Sequence, residues 1–448
     1  MVRHNRRTQY GLVILGILLA LASLEGLLRL YFSLAVDPHT RGLAQEVNLP
    51  GIDPTVPDAR LGFRLNSMYR GIDARGWRND SALKQADIVA LGDRFTYGVT
   101  VSTEEAWPQR LGAILHRTVY QMAVPGYGPG QYLLLFDEAA ALRPKVIIAT
   151  LYFGNDFIDA YGIAYHAGAV KNTAPDALIE SFKSSDLKVR QPIRRAEAID
   201  PSLLRSDYVD CQHPRPVPDA HLQTVHDILA APPLAPLASS THGAARQPQE
   251  RNSPDAFLAR VSVLYRIVSS RAGRVWRRLR PFASVRDYGS PICVHYRDRQ
   301  LITIFTPAYR LLTLDRTDPR VVEGERLSWM MMDALAQRCR RAGIRFYVVL
   351  LPTKEAVFRA RAYGAYHNEP YLRVQWEAEE AARSRALEFF KQRGVEAIDT
   401  LPAQKAVVAS GVNPYEDDAN GHPSRAGFDA IARAIAERLQ RDGFALPH

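Results

Sequence analysis

The chain has 448 residues, 47% of them apolar and 9% aromatic, which excludes a disordered polymer and allows one large or two ordinary domains. Its formal charge of +10 raises the question of nucleic acid, but outside Arg3 to Arg7 and Arg274 to Arg280 the basic residues are scattered, so no nucleic-acid partner is expected. The same charge suits an anionic polysaccharide or phospholipid headgroups.

At the N-terminus, Arg3, Arg6 and Arg7 precede an uncharged run from Tyr10 to Ser23. Apolar character continues to Val36, broken only by Glu25 and Arg29. As a helix rising 1.5 Å per residue, residues 10–36 would reach about 40 Å, enough to span a bilayer. The basic flank places residues 1–9 in the cytoplasm and the bulk of the chain outside it. Ala20, Leu21 and Ala22 resemble a signal-cleavage site, but the apolar run passes beyond them, so a single-pass, uncleaved anchor in a bacterial-type cytoplasmic membrane is expected. Glu25 and Arg29, four residues apart, either pair along one helix face or dock against another membrane protein.

Residues 37–84, rich in Pro, Gly and Asp, read as a tether and an irregular lead-in. Residues 85–163 then alternate: strand ADIVAL, helix EEAWPQRLGAIL, strand VYQMAV, helix GQYLLLFDEAAAL, strand KVIIATLYF. Residues 164–322 break the pattern, with a Pro-rich loop at 214–254 and a basic-ended helical stretch after it. The alternation resumes over 323–448 with helix EGERLSWMMMDALAQRCRRAG, strand IRFYVVLLP, helix EAEEAARSRALEFFKQRG, strand VEAIDTL and helix SRAGFDAIARAIAERLQRDG. The expectation is an α/β domain with a flavodoxin-like parallel sheet of about five strands, helices on both faces, split by a long insertion. Cys211 and Cys293 flank the least regular region and are the candidate disulfide pair, whereas Cys339 falls inside a helical pattern. No cysteine or histidine spacing suggests a metal, and no cofactor is expected.

In an open parallel sheet, ligands bind beyond the carboxyl ends of the strands. Those ends carry, in order, Gly92-Asp93-Arg94, Val124-Pro125-Gly126, Gly154-Asn155-Asp156 and Pro352-Thr353-Lys354-Glu355. The last strand is followed by a loop bearing Asp417, Asp418 and His422. Singly, each has a plain explanation: a turn glycine, a helix cap, a surface histidine. For Lys354 and Glu355 a structural or substrate-rim role is expected.

This ordered set, GD-x-F, a glycine after the second strand, G-x-N-D, and Asp with His before the last helix, resembles the SGNH or GDSL hydrolase superfamily. The surroundings FTYGV, WPQRL, VPGYGPGQ, PTKE and GHPSRAG resemble its membrane-anchored, exported members, several of which accompany membrane-bound O-acyltransferases in acetylating envelope polysaccharide. The likeness covers roughly residues 87–159 and 326–439. It implies that Gly126 and Asn155 donate to an oxyanion, that His422 is the base, and that Asp418 or Asp417 orients it. It also maps the nucleophilic serine onto Arg94, and an arginine, which only donates hydrogen bonds and stays protonated, cannot attack an acyl carbon. Thr96 and Ser102 are the nearest hydroxyls. Two readings of Arg94 stand: a retired pocket turned to binding, or a changed residue in a chain whose relatives carry serine. The resemblance implies a protein related to acyl-ester hydrolases and O-acetyltransferases of envelope polysaccharide, with serine-dependent activity absent or weak. The other reading is a non-catalytic glycan-binding or scaffold subunit of an O-acyltransferase assembly. The expected partners are an acylated polysaccharide or other ester, an integral membrane O-acyltransferase, and the membrane itself.

Overall fold

A computed structural model describes residues 23–24, 54–69, 71–166, 176–199, 293–367 and 369–444. The expected anchor lies outside these except for Ser23 and Leu24, and no helix among the described residues is long and apolar enough to cross a membrane. The Pro-rich loop 214–254 and the basic-ended helical stretch also lie outside them.

The lead-in contains a hairpin, β1 (Thr55–Asp58) and β2 (Gly62–Leu65). Then β3 (Ile88–Gly92) enters a four-residue helix α1 (Arg94–Tyr97), followed by α2 (Trp107–Leu115), β4 (Val119–Ala123), α3 (Pro129–Leu134), α4 (Phe136–Ala140) and β5 (Val146–Tyr152). After α5 (Asp156–Tyr165) come α6 (Ala177–Glu180), α7 (Leu187–Ile199), β6 (Val294–Arg297), β7 (Ile302–Phe305) and α8 (Pro307–Leu314). The second half runs α9 (Pro319–Arg341), β8 (Arg345–Leu351), α10 (Lys354–Tyr366), α11 (Pro370–Gln392), β9 (Glu396–Asp399), α12 (Leu401–Ala409) and α13 (Arg425–Arg441).

The central sheet has five parallel strands in the order β4-β3-β5-β8-β9, the 2-1-3-4-5 order of flavodoxin-like folds. Strands β3, β4 and β5 are buried at every position, as strands covered on both faces must be. Side chains alternate between two cores: Val89, Leu91, Ala149 and Val348 face one, Ile88, Ala90, Ile148 and Val349 the other. The first core is closed by α3, α5, α9 and α11, the second by α2 and α13.

Three features depart from the sequence reading. The PTKE stretch, read only as a strand end, opens α10, because Thr353 caps it by accepting the Ala356 N–H at 3.3 Å. Helix α11 begins at Pro370 rather than at the first glutamate run, since Leu372 and Trp376 bury against α10 in a third core. Hairpin β6–β7, inside the expected insertion, supplies Tyr296 and Phe305 to that core, their rings 5.6 and 5.7 Å from Phe358. Cys339 is a free, buried thiol, pushed up to about 12 by burial. Cys293 is disulfide-bonded, and its expected partner Cys211 lies outside the described residues.

Candidate active site

At the end of β3 the chain turns through Asp93, whose side chain accepts the Phe95 N–H at 2.8 Å and so starts α1. Only a residue without a side chain fits at Gly92, where a Cβ would lie 1.9 Å from Thr96 Oγ1. Thr96 is fully buried behind this turn, its hydroxyl 3.1 Å from that of Thr150, which removes it as a substitute nucleophile. Ser102 starts the 3-10 turn Thr103–Glu105 and shares a capping box with Glu105.

Arg94 is partly exposed at the head of α1, and its Nε has no hydrogen-bond partner. Its charge acts on Asp93, Asp156, Asp159 and His422. Asp93 and Asp156 are buried, and Asp159 is partly so. Burial pushes the Asp93 carboxyl up to about 6 and that of Asp159 to about 7, against the opposing pull of Arg94. Asp156 rises furthest, through burial and the neighbouring carboxylates, although it accepts the Tyr152 N–H at 2.9 Å. One oxygen each of Asp93 and Asp156 has no partner. The arginine's charge thus partly offsets the burial of these carboxyls.

Gly126 follows β4 in the left-handed region, with φ of 92°, a conformation that favours glycine. Asn155 precedes α5, and its amide Nδ2 donates to Asp159 at 2.5 Å instead of capping the helix. The two expected oxyanion donors therefore stand at adjacent strand ends on either side of the β3 turn.

His422 reaches the same edge from the loop between α12 and α13, its ring 5.0 Å from that of Phe95. That loop is held from several sides. Thr100 donates to the Pro423 carbonyl at 2.6 Å, and the Lys354 ammonium donates to the carbonyls of Asp418 at 2.6 Å and Asn420 at 3.0 Å. From β7, the Thr303 hydroxyl donates to the Glu416 carbonyl at 3.2 Å. Beneath the loop lies Arg310, so close that a Cβ on Gly421 would sit 2.3 Å from its Nη2. Glu355, fully buried, accepts the Thr306 N–H at 2.7 Å and lies 3.6 Å from the Arg310 guanidinium. Lys354 and Glu355 are thus buried supports of the histidine loop.

The acids named from sequence serve the loop itself. Asp418 accepts the Asn420 N–H at 2.8 Å, and Asp417 accepts from the Asn413 amide at 3.0 Å. The group on His422 Nδ1 is the side-chain oxygen of Asn420, which also accepts the His422 backbone N–H at 3.0 Å. Burial and the cations Arg94, Arg310 and Lys354 hold His422 down to about 3. Sequence reasoning also missed Glu379, fully buried in α11, which accepts the Thr353 N–H at 2.8 Å and is pushed up to about 7 by burial. Asn420 had one available signal, a polar acceptor two residues before the histidine; Glu379, a charge inside a charged helix, had none.

No family profile and no curated protein matches the chain. Among solved structures it is similar to a protein of the G-D-S-L lipolytic family from Desulfitobacterium hafniense, with 12% identity over 78% of this chain and 97% of that one, TM-score 0.30. It is also similar to a GDSL-like lipase from Bacteroides thetaiotaomicron, with 10% identity over 79% of this chain and 88% of the other, TM-score 0.31.

Proposed function

We propose that the chain is an SGNH-type protein retired from ester hydrolysis, whose pocket binds an acyl ester on a cell-envelope polysaccharide. In this reading residues 10–36 anchor it in the cytoplasmic membrane and the domain works outside, beside an integral membrane O-acyltransferase. The observation that carries the reading is the set of groups at three strand ends of a 2-1-3-4-5 sheet, the Asp93-Arg94 turn, Gly126 and Asn155, with His422 brought beside the first of them, its ring 5.0 Å from that of Phe95. Arg94 supports binding over catalysis, because the place of an attacking hydroxyl is taken by a group that only donates. Thr96, turned into the core, offers no replacement.

Chemically, such a pocket would hold an ester carbonyl between the Gly126 N–H and Arg94, two donors suited to a carbonyl or a neighbouring carboxylate. With no attacking hydroxyl, the bound ester keeps its C–O bond. The test is calorimetric titration of the full chain with an O-acetylated acidic polysaccharide, with its de-O-acetylated form, and with the Arg94→Ala variant. The reading expects binding that weakens about tenfold on de-O-acetylation and on Arg94→Ala. Equal affinity for both polymers, or none, would count against it.

A further inference from the structure

We propose that Asn420, locked in place by Lys354, is the residue that orients His422, and that it fixes the imidazole as a neutral ring with its proton on Nδ1. The functional meaning rests on the pocket assignment proposed above; the tautomer follows from hydrogen bonding alone.

The backbone N–H of His422 points at one atom of the Asn420 amide at 3.0 Å, and a backbone N–H can only donate, so that atom is the carbonyl oxygen. The same oxygen faces Nδ1 of the His422 ring, and an oxygen acceptor requires a proton on Nδ1. Nε2 is left with its lone pair.

Asn420 has little freedom to leave. Its N–H donates to the Asp418 carboxylate at 2.8 Å, and its carbonyl accepts from Lys354 at 3.0 Å. Lys354 also takes the Asp418 carbonyl, so one buried ammonium closes the turn that carries the amide. Asp418 is occupied within this turn, which is why it does not reach the ring.

The identity of the partner sets the chemistry. A carboxylate would stabilise an imidazolium; a neutral amide fixes orientation without supplying charge. The charged groups acting on His422 are all cations, Arg94 from α1, Arg310 from α8 and Lys354 from α10. In serine-dependent acyl transfer the hydroxyl proton would pass to Nε2 and create that imidazolium, and the neutral Asn420 amide on Nδ1 would not offset the charge. Two positions, 94 and 420, therefore differ from what hydrolysis needs, and restoring one does not suffice.

Nitrogen-15 NMR of the His422 ring in the full chain tests this. The expected spectrum has one proton, on Nδ1, unchanged between pH 5 and 8. Asn420→Asp should raise the titration midpoint by more than one pH unit, and Lys354→Met should weaken the Nδ1 preference. A proton on Nε2 in the unsubstituted chain, or a midpoint unmoved by Asn420→Asp, would overturn the proposal. In the Arg94→Ser background, adding Asn420→Asp should raise ester kcat/KM at least 100-fold, in a manner lost with His422→Ala. Measurable but equal activity of Arg94→Ser with and without Asn420→Asp would overturn the proposal. If neither form turns over while the NMR behaves as expected, the orienting role is supported and the ester-pocket reading is what fails.

Discussion

The single charge of Arg94 acts on three carboxyls, Asp93, Asp156 and Asp159, and on His422. The resulting pH dependence has two opposing parts. His422 ionises near 3 when folded and near 6.5 when unfolded, so between those values the unfolded chain binds the extra proton and stability falls as pH falls. Asp159 runs the other way: its folded value of about 7 exceeds the unfolded 3.8, so its contribution is complete below 3.8 and is lost as pH rises toward 7 and beyond. Asp159→Asn should therefore raise the melting temperature at pH 8 more than at pH 4, as calorimetry would record; an equal shift at both values contradicts the account. Glu355→Gln removes the carboxylate facing Arg310 and Lys354 and should destabilise by about 3–5 kcal/mol, measured by urea unfolding. Arg94, Gly126 and Asn155 were legible because each directly follows a strand, whereas His422 follows the last strand only after α12, which the sequence reading had as loop. Asn420 was hidden because two adjacent acids drew the assignment, and which side chain meets Nδ1 depends on how the loop closes over Lys354 and Arg310.

Among the elements, α13 carries a constraint that links packing to the histidine loop. A Cβ on Gly427 would lie 2.2 Å from the Pro414 carbonyl, at the base of the loop that presents His422. Gly427→Ala should cost about 1–3 kcal/mol in urea unfolding and shift the His422 ring signals; an unperturbed ring would contradict this coupling. The strands and long helices were legible from their apolar periodicity. Helix α10 was not, because its buried face includes the charged pair Lys354 and Glu355, which reads as solvent-facing unless their partners are known. The hairpin β6–β7 was missed for a similar reason: each strand has four residues and makes sense only against the third core.

Over the whole described domain, two segments far apart in sequence build one sheet, since β8 pairs with β5 along seven residues from Val146 to Tyr152. Residues 85–163 alone would expose the fully buried edge of β5, and are expected to be insoluble or unfolded; a cooperative melt of that fragment would contradict the shared core. The α/β class and parallel sheet were legible because alternation of element types survives an insertion. The packing between the hairpin, α10 and the histidine loop was not, because the hairpin meets that loop across 113 positions and α10 meets it across 64. The proposed function leaves the strand-end groups of this chain able to bind an ester but without an attacking hydroxyl. The most direct measurement is turnover of a chromogenic acetyl ester by the unsubstituted full chain beside His422→Ala. The account predicts the same background rate for both; turnover by the unsubstituted chain that disappears in His422→Ala would contradict it.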